Sequence, residues 1–166
     1  MEKRRDYTAC LPENTDWCMP SALQTVLKTR GIEISQRGIT GYFSQNADGY
    51  VLDNTSLRNF LGRFNLRSEF FNPFTEPYGN AFNWKEIDET LHRFMEKRGE
   101  DLLVSYNHLN KSGGHVAIVS GFDLSTRLVR LINSKEKILL PELLDAMHPG
   151  DLRVSGDSNR GFYVIQ

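Results

Sequence analysis

The spacing of apolar residues changes period near residue 100, and this change constrains the fold more than any other feature of the chain. Before it, apolar residues recur at helical spacing. Between Asn83 and Lys97, Trp84, Ile87, Leu91, Phe94 and Met95 fall at i, i+3, i+7, i+10 and i+11, which is one face of an amphipathic helix. Ala22, Leu23, Val26 and Leu27 share another such face. Lys28 and Arg30 stand in its last turn and Gly31 follows where a C-cap belongs, so residues from about 19 to 30 are expected to be helical. Pro20 fits that helix only in its first turn, where its missing N–H costs nothing. Ser35 to Phe43 reads as a short helix, and Asn54 or Thr55 caps another that carries Leu57, Phe60 and Leu61.

After residue 100 the apolar runs are short and rich in Val, Ile, Leu and aromatics: DLLVSYNH, GGHVAIVSGF, TRLVRLIN, KEKILL and GFYVIQ, divided by turn signals such as KSGG and DLST. They predict a meander of antiparallel strands. PELLDAMHP reads as one or two helical turns and DLRVSGDSNRG as a surface loop. Helices first and strands afterwards, with no crossover helices between the late strands, predict an α+β domain. Its helical half is expected over about 15–98 and its sheet half over about 101–166, in a single domain of 166 residues.

Charge and composition narrow the partners. Lys and Arg number 20 against 21 Asp and Glu, with no long run of one sign, so neither nucleic acid nor an anionic membrane is expected. No apolar stretch approaches the roughly 20 residues of a membrane helix, and MEKRRDYTAC lacks the apolar core of a signal peptide. A cytoplasmic location is expected on that basis, with secretion by a non-classical route left open. No Gly-rich phosphate loop and no carboxylate cluster appears, so neither cofactor nor metal is expected. The oligomeric state is not legible.

The chemistry converges on a thiol. The two cysteines, Cys10 and Cys18, are too few for a disulfide framework, and a chain without a signal peptide is expected to keep its thiols reduced. Cys18 stands at the start of the first helix, where unsatisfied N–H groups and the helix dipole favour a thiolate. A nucleophilic thiolate needs a histidine, and the histidine an orienting partner. Of the four histidines, His92 sits on the amphipathic helix, and His148 and His108 fall in polar turns where solvation is the expected state. His115 follows Gly113-Gly114 at the opening of the strand VAIVSGF, and Asn133 ends the next strand, LVRLIN. A hairpin through DLST brings the start of one beside the end of the other.

Two segments carry a family resemblance. Cys18 with Pro20, Ala22, Leu23 and the run to Gly31, together with GGHVAIVSGFD followed by VRLINS, resembles the papain-like cysteine peptidases, in the branch of the bacteriocin-processing double-glycine peptidases and their stand-alone relatives. The resemblance implies the papain-like fold, N-terminal helices packed on a C-terminal antiparallel sheet. It also implies Cys18 as nucleophile, His115 as general base and acid, and Asn133 as the residue orienting the imidazole. Two departures stand out. The Gln that in the family donates to the oxyanion hole about six residues before the cysteine is replaced by Pro12, and the usual Gly after the cysteine is Met19. Loss of one such donor typically costs about 10²–10³ in rate. Asn14 is the candidate substitute amide.

Three functions compete. The first is a thiol hydrolase acting on a peptide or protein substrate, with acyl transfer to an amine open to the same triad. The second is a degenerate domain that binds a peptide or partner protein without turnover. The third is a small-molecule binding domain in which Cys18 is a core residue. FFNPFTEPYGNAFNW reads as a loop whose Phe70, Phe71, Phe74 and Phe82 pack on one another, Asp16 as a helix cap, and Asp123 as a hairpin turn.

Overall fold

The computed structural model describes residues 2–4, 6–47, 49–71, 73, 82–96, 99–108, 113–132, 137–147 and 160–166. Its helices are α1 (Cys18–Thr29), α2 (Gln36–Thr40), α3 (Asn54–Gly62), α4 (Trp84–Glu96) and α5 (Leu140–Met147). Its strands are β1 (Glu2–Arg4), β2 (Gln45–Asn46), β3 (Gly49–Tyr50), β4 (Ser68–Phe71), β5 (Asp101–Asn107), β6 (Gly114–Asp123), β7 (Leu128–Ile132), β8 (Lys137–Leu139) and β9 (Gly161–Ile165). The helix boundaries follow local chemistry. Ser35 and Asp53 cap α2 and α3 by accepting from the N–H of Gly38 and Ser56, so the cap of α3 falls one residue before the expected Asn54.

The strands β5 to β8 form the expected meander, but the sheet does not end there. Among the described residues its order is β4-β9-β5-β6-β7-β8, with β1 paired to the far end of β6. The last strand therefore inserts between β5 and a strand from the helical half, Ser68 lying opposite Ile165. This pairing corrects the reading of the aromatic loop: Phe70 and Phe71 belong to β4, where their rings meet Tyr163 and Phe162 at 4.8 and 6.1 Å, and Phe82 packs on Trp84. Phe74, Asn133, His148 and most of DLRVSGDSNRG lie outside the described residues.

Alternation along the strands divides the core in two. Leu103, Val116, Ile118, Tyr163 and Ile165 face α1, α2 and α3, and meet Leu23, Val26, Leu27, Ile39, Phe60 and Leu61. Leu102, Val104, Ala117, Val119, Phe162 and Val164 face the other way, onto Ile87, Leu91 and Phe94 of α4 and Leu143, Leu144 and Met147 of α5. The helices thus cover both faces of the sheet. A register shift between Val119 and Gly121 returns Phe122 to the same face as Val119, the expected effect of one extra residue in a strand.

An ion pair near the end of α1 helps to fasten the two halves. Arg30, just beyond α1, donates from Nε to Asp101 Oδ2 at 2.9 Å, and its second terminal nitrogen reaches the carbonyls of Gly99 and Ile165. Tyr7 donates its hydroxyl to the same carboxylate at 2.6 Å. The helix that begins at Cys18 is thereby tied at its other end to β5 and β9.

Candidate active site

Cys18 is the first residue of α1, and the preceding Trp17 makes no side-chain cap, so the expected capping by Asp16 is not found. Asp16 adopts φ 65, a left-handed conformation that turns the chain into the helix. Gly49 presses against this turn with φ +123, and a Cβ there would lie 2.4 Å from the carbonyl oxygen of Asp16. Both the conformation and the contact exclude a side chain. Gly49→Ala is expected to cost about 1–3 kcal/mol in urea unfolding; an unchanged midpoint would show that the turn before Cys18 yields freely. Trp17 packs edge-on to Tyr50 at 6.1 Å, which holds the β2–β3 ribbon beside the cysteine.

His115 is the second residue of β6. It pairs across the sheet with Tyr106, whose ring meets the imidazole edge-on at 5.6 Å. Gly113, at φ +95, accepts from the N–H of His108 at 2.9 Å as the loop returns to β6. His108, partly exposed, brings its ring to 5.0 Å from that of His115.

Cys18 and His115 line one pocket of about 200 Å³, with Asn46, Tyr50, Val51, Leu52, Ser105, Gly114, Val116 and Arg160 forming the rest of its wall. Asn14 is exposed, its carbonyl accepting from the N–H of Trp17 at 3.3 Å, and it is not part of that wall. The pocket instead holds a different amide side chain, Asn46 of β2. The loop before the cysteine is braced from behind: Gln36 donates to the carbonyl of Leu11 and accepts from the N–H of Glu13.

Electrostatics at the thiol run against the expectation for a helix N-terminus. Burial pushes the Cys18 thiol up from its ordinary pKa, and backbone hydrogen bonds from Val116, Met19 and Cys18 itself pull it down by less, with the negative charge of Asp16 adding to the rise. Cys18 is partly exposed at the pocket wall, and its desolvation there favours the neutral thiol over the thiolate. Asp123 behaves as expected of a turn residue: it accepts from the N–H and hydroxyl of Ser125 and from the N–H of Thr126, and the Ser125 hydroxyl bond chiefly lowers its pKa.

Sequence reasoning missed His108, Asn46, Ser105 and Arg160. Asn46 and Arg160 sit in polar segments that carry no periodic signal; Arg160 reaches the pocket through the distant pairing of β9 with β5, and Asn46 stands in the local β2–β3 ribbon. Among the described residues no group of three or more His, Cys, Asp or Glu is placed to hold a metal ion, and no helix is long and apolar enough to cross a membrane.

No protein-family model matches this chain, and no curated protein does. Among solved structures, a double-glycine-motif protease from an AMS/PCAT transporter, crystallised in complex with the leader peptide, aligns with a TM-score of 0.58 at 12% sequence identity, over 98% of this chain and 91% of that one. With helices leading into an antiparallel sheet and this correspondence along nearly its whole length, the chain has the fold of a papain-like cysteine peptidase.

Proposed function

We propose that this protein is a papain-like thiol hydrolase that cleaves a peptide or related amide bond through an acyl-enzyme on Cys18. The observation that carries this reading is that Cys18, at the start of α1, and His115, at the start of β6, line one pocket. Because burial favours the neutral thiol, His115 acts first as general base, removing the thiol proton as sulfur attacks the carbonyl carbon. The tetrahedral adduct then expels the amine. The C–N bond breaks, His115 returns the proton to the leaving nitrogen, and a thioester remains on Cys18. Water enters by the reverse proton path, and the acid and free thiol are regenerated; an amine in place of water gives acyl transfer.

Asn133 is assigned to orient the imidazole. Supporting this is the β6–β7 register, with Ile132 opposite Ile118, three residues along the strand from His115. Backbone N–H groups at the start of α1 and the Asn46 amide are the proposed oxyanion donors, in place of the expected Asn14. A peptide is favoured as substrate because the structural neighbour is a protease crystallised with a leader peptide. A second reading, a non-catalytic peptide- or partner-binding domain, draws on the raised thiol pKa and on Pro12 where the family has its donor.

The pH dependence of iodoacetamide labelling, resolved from Cys10 by mass spectrometry, separates the two. A raised thiol pKa keeps Cys18 protonated until the pH passes the ordinary thiol value, so an unassisted Cys18 gains reactivity only on the alkaline side. Coupling to His115 adds a limb near neutral pH that His115→Ala removes, and this is the expected result. A single alkaline limb, unchanged by the substitution, would sink the hydrolase and leave the binding domain.

A further inference from the structure

His115 is only the second residue of β6, and it follows two glycines, the first of them at φ +95. A strand entered through Gly113-Gly114 has the permissive backbone of glycine, and strand ends are where a sheet opens most readily. A general base placed there still has to be held within a fraction of an ångström of its working position. The side chain placed to stiffen this end of β6 is Arg160, which lines the same pocket.

Arg160 immediately precedes β9, whose Gly161 pairs with Ser105 of β5. Two of its hydrogen bonds return to β5: Nε donates to Asn107 Oδ1 at 3.1 Å, and a terminal nitrogen donates to Ser105 Oγ at 3.2 Å. Asn107 is the residue opposite Gly114 across the β5–β6 pairing. The end of the guanidinium then fills the space beside Gly114. A Cβ built there would lie 2.5 Å from one terminal nitrogen of Arg160 and 2.6 Å from Cζ, and nearer still to the other terminal nitrogen. Gly114 has none of the positive φ that Gly113 shows, so the arginine and not the chain's conformation excludes a side chain. One side chain thus touches β6, bonds β5 and leads into β9, at the level of the candidate base.

We propose that Arg160 is a positioning residue: seated against Gly114 and bonded to Ser105 and Asn107, it pins the start of β6 to β5 and so holds the His115 imidazole where it serves Cys18. The service to His115 rests on the hydrolase reading; the brace between the strands does not. The contribution is geometric, so it depends on the seat and not on the presence of a cation. A displacement of about 1 Å at a reacting group can cost about a hundredfold in rate.

The seat is removable in two ways. Arg160→Ala deletes the guanidinium, whereas Gly114→Ala keeps it and is expected to push it aside, because the new methyl meets the far end of a flexible side chain. The full-length variants, singly and together, are compared with the parent in two measurements. One is the pH profile of iodoacetamide labelling at Cys18; the other is the exchange rate of the His108 amide, which bonds the carbonyl of Gly113 at 2.9 Å. Each single variant is expected to lower the His115-dependent limb near neutral pH about tenfold to a hundredfold and to leave the alkaline limb of the thiol unchanged. A general loosening of the fold would instead raise both limbs together. Exchange at His108 is expected to quicken by on the order of tenfold. The double variant should match Arg160→Ala, since with the arginine gone the methyl displaces nothing. A neutral limb unchanged in either single variant, or a double variant clearly below Arg160→Ala, would overturn the proposal. Should Arg160→Ala not fold, Gly114→Ala decides alone by the same criterion. If the parent itself shows no neutral limb, the hydrolase reading ends and His108 exchange decides: acceleration in the variants supports the brace, and unchanged exchange overturns it.

Discussion

For the thiol hydrolase proposed above, replacing His115 by alanine is expected to abolish peptide cleavage, with a fall in kcat on the order of 10⁶ at saturating substrate. The size follows from the state of the thiol. Burial favours the protonated thiol at Cys18, so without a base in the pocket attack at neutral pH is disfavoured, and the departing amine has no acid to protonate it. Cys18→Ala should cost about as much, and the double variant no more than either single one, because nucleophile and base act as a unit. A mixture of unblocked peptides, with products counted by mass spectrometry, supplies the assay. If His115→Ala retained activity within tenfold of the parent, His115 would not be the base. His108, whose ring lies 5.0 Å away, would be next to replace.

Arg30→Ala is expected to be strongly destabilising, at about 3–5 kcal/mol of unfolding free energy. The Arg30 and Asp101 side chains are 17% and 9% exposed, so removal of the arginine takes the guanidinium from a largely buried carboxylate that also accepts from Tyr7. It also takes a donor from the carbonyls of Gly99 and Ile165. Urea unfolding of Arg30→Ala, followed by the pair Arg30→Met with Asp101→Leu, measures the effect. The pair should recover much of the loss, because apolar groups of similar volume remove the buried charge along with the ion pair. A single-variant loss below about 1 kcal/mol would mean the bridge behaves like a surface pair.

Much of this fold is legible where the determinants are local. The face Ala22–Leu23–Val26–Leu27 and the cap at Gly31, which has φ 74, fix α1 within a residue of its observed span. The strands DLLVSYN and GHVAIVSGFD announce themselves by composition, and the hairpin turn at Asp123 by its side chain. What escaped depends on partners far along the chain. SEFF is four residues in an aromatic-rich segment, and nothing within it says that Ile165 will lie opposite Ser68. The position of His115 was legible because two glycines and a hydrophobic strand frame it. Its neighbours were not: Arg160 reaches the pocket through the pairing of β9 with β5, and the His108 ring meets that of His115 where the backbone N–H of His108 bonds the carbonyl of Gly113. The electrostatics failed for a related reason, because the helix dipole is visible in a sequence whereas the burial that outweighs it at Cys18 belongs to the assembled pocket.

The insertion of β9 between β4 and β5 also orders events during synthesis. Residues 161–165 emerge from the ribosome after both strands they join, and until then β4 has no sheet partner and β5 keeps one edge unpaired. The nascent chain already contains Cys18 and His115, yet it lacks Tyr163, a fully buried side chain of the α1 face, and Arg160, the charged part of the pocket wall. Pairings this distant in sequence form late, so the wall of the pocket and the β4–β9–β5 part of the sheet both wait for the end of the chain. Any nucleophilic power the thiol acquires in the finished pocket is withheld from the protein's own half-made chain.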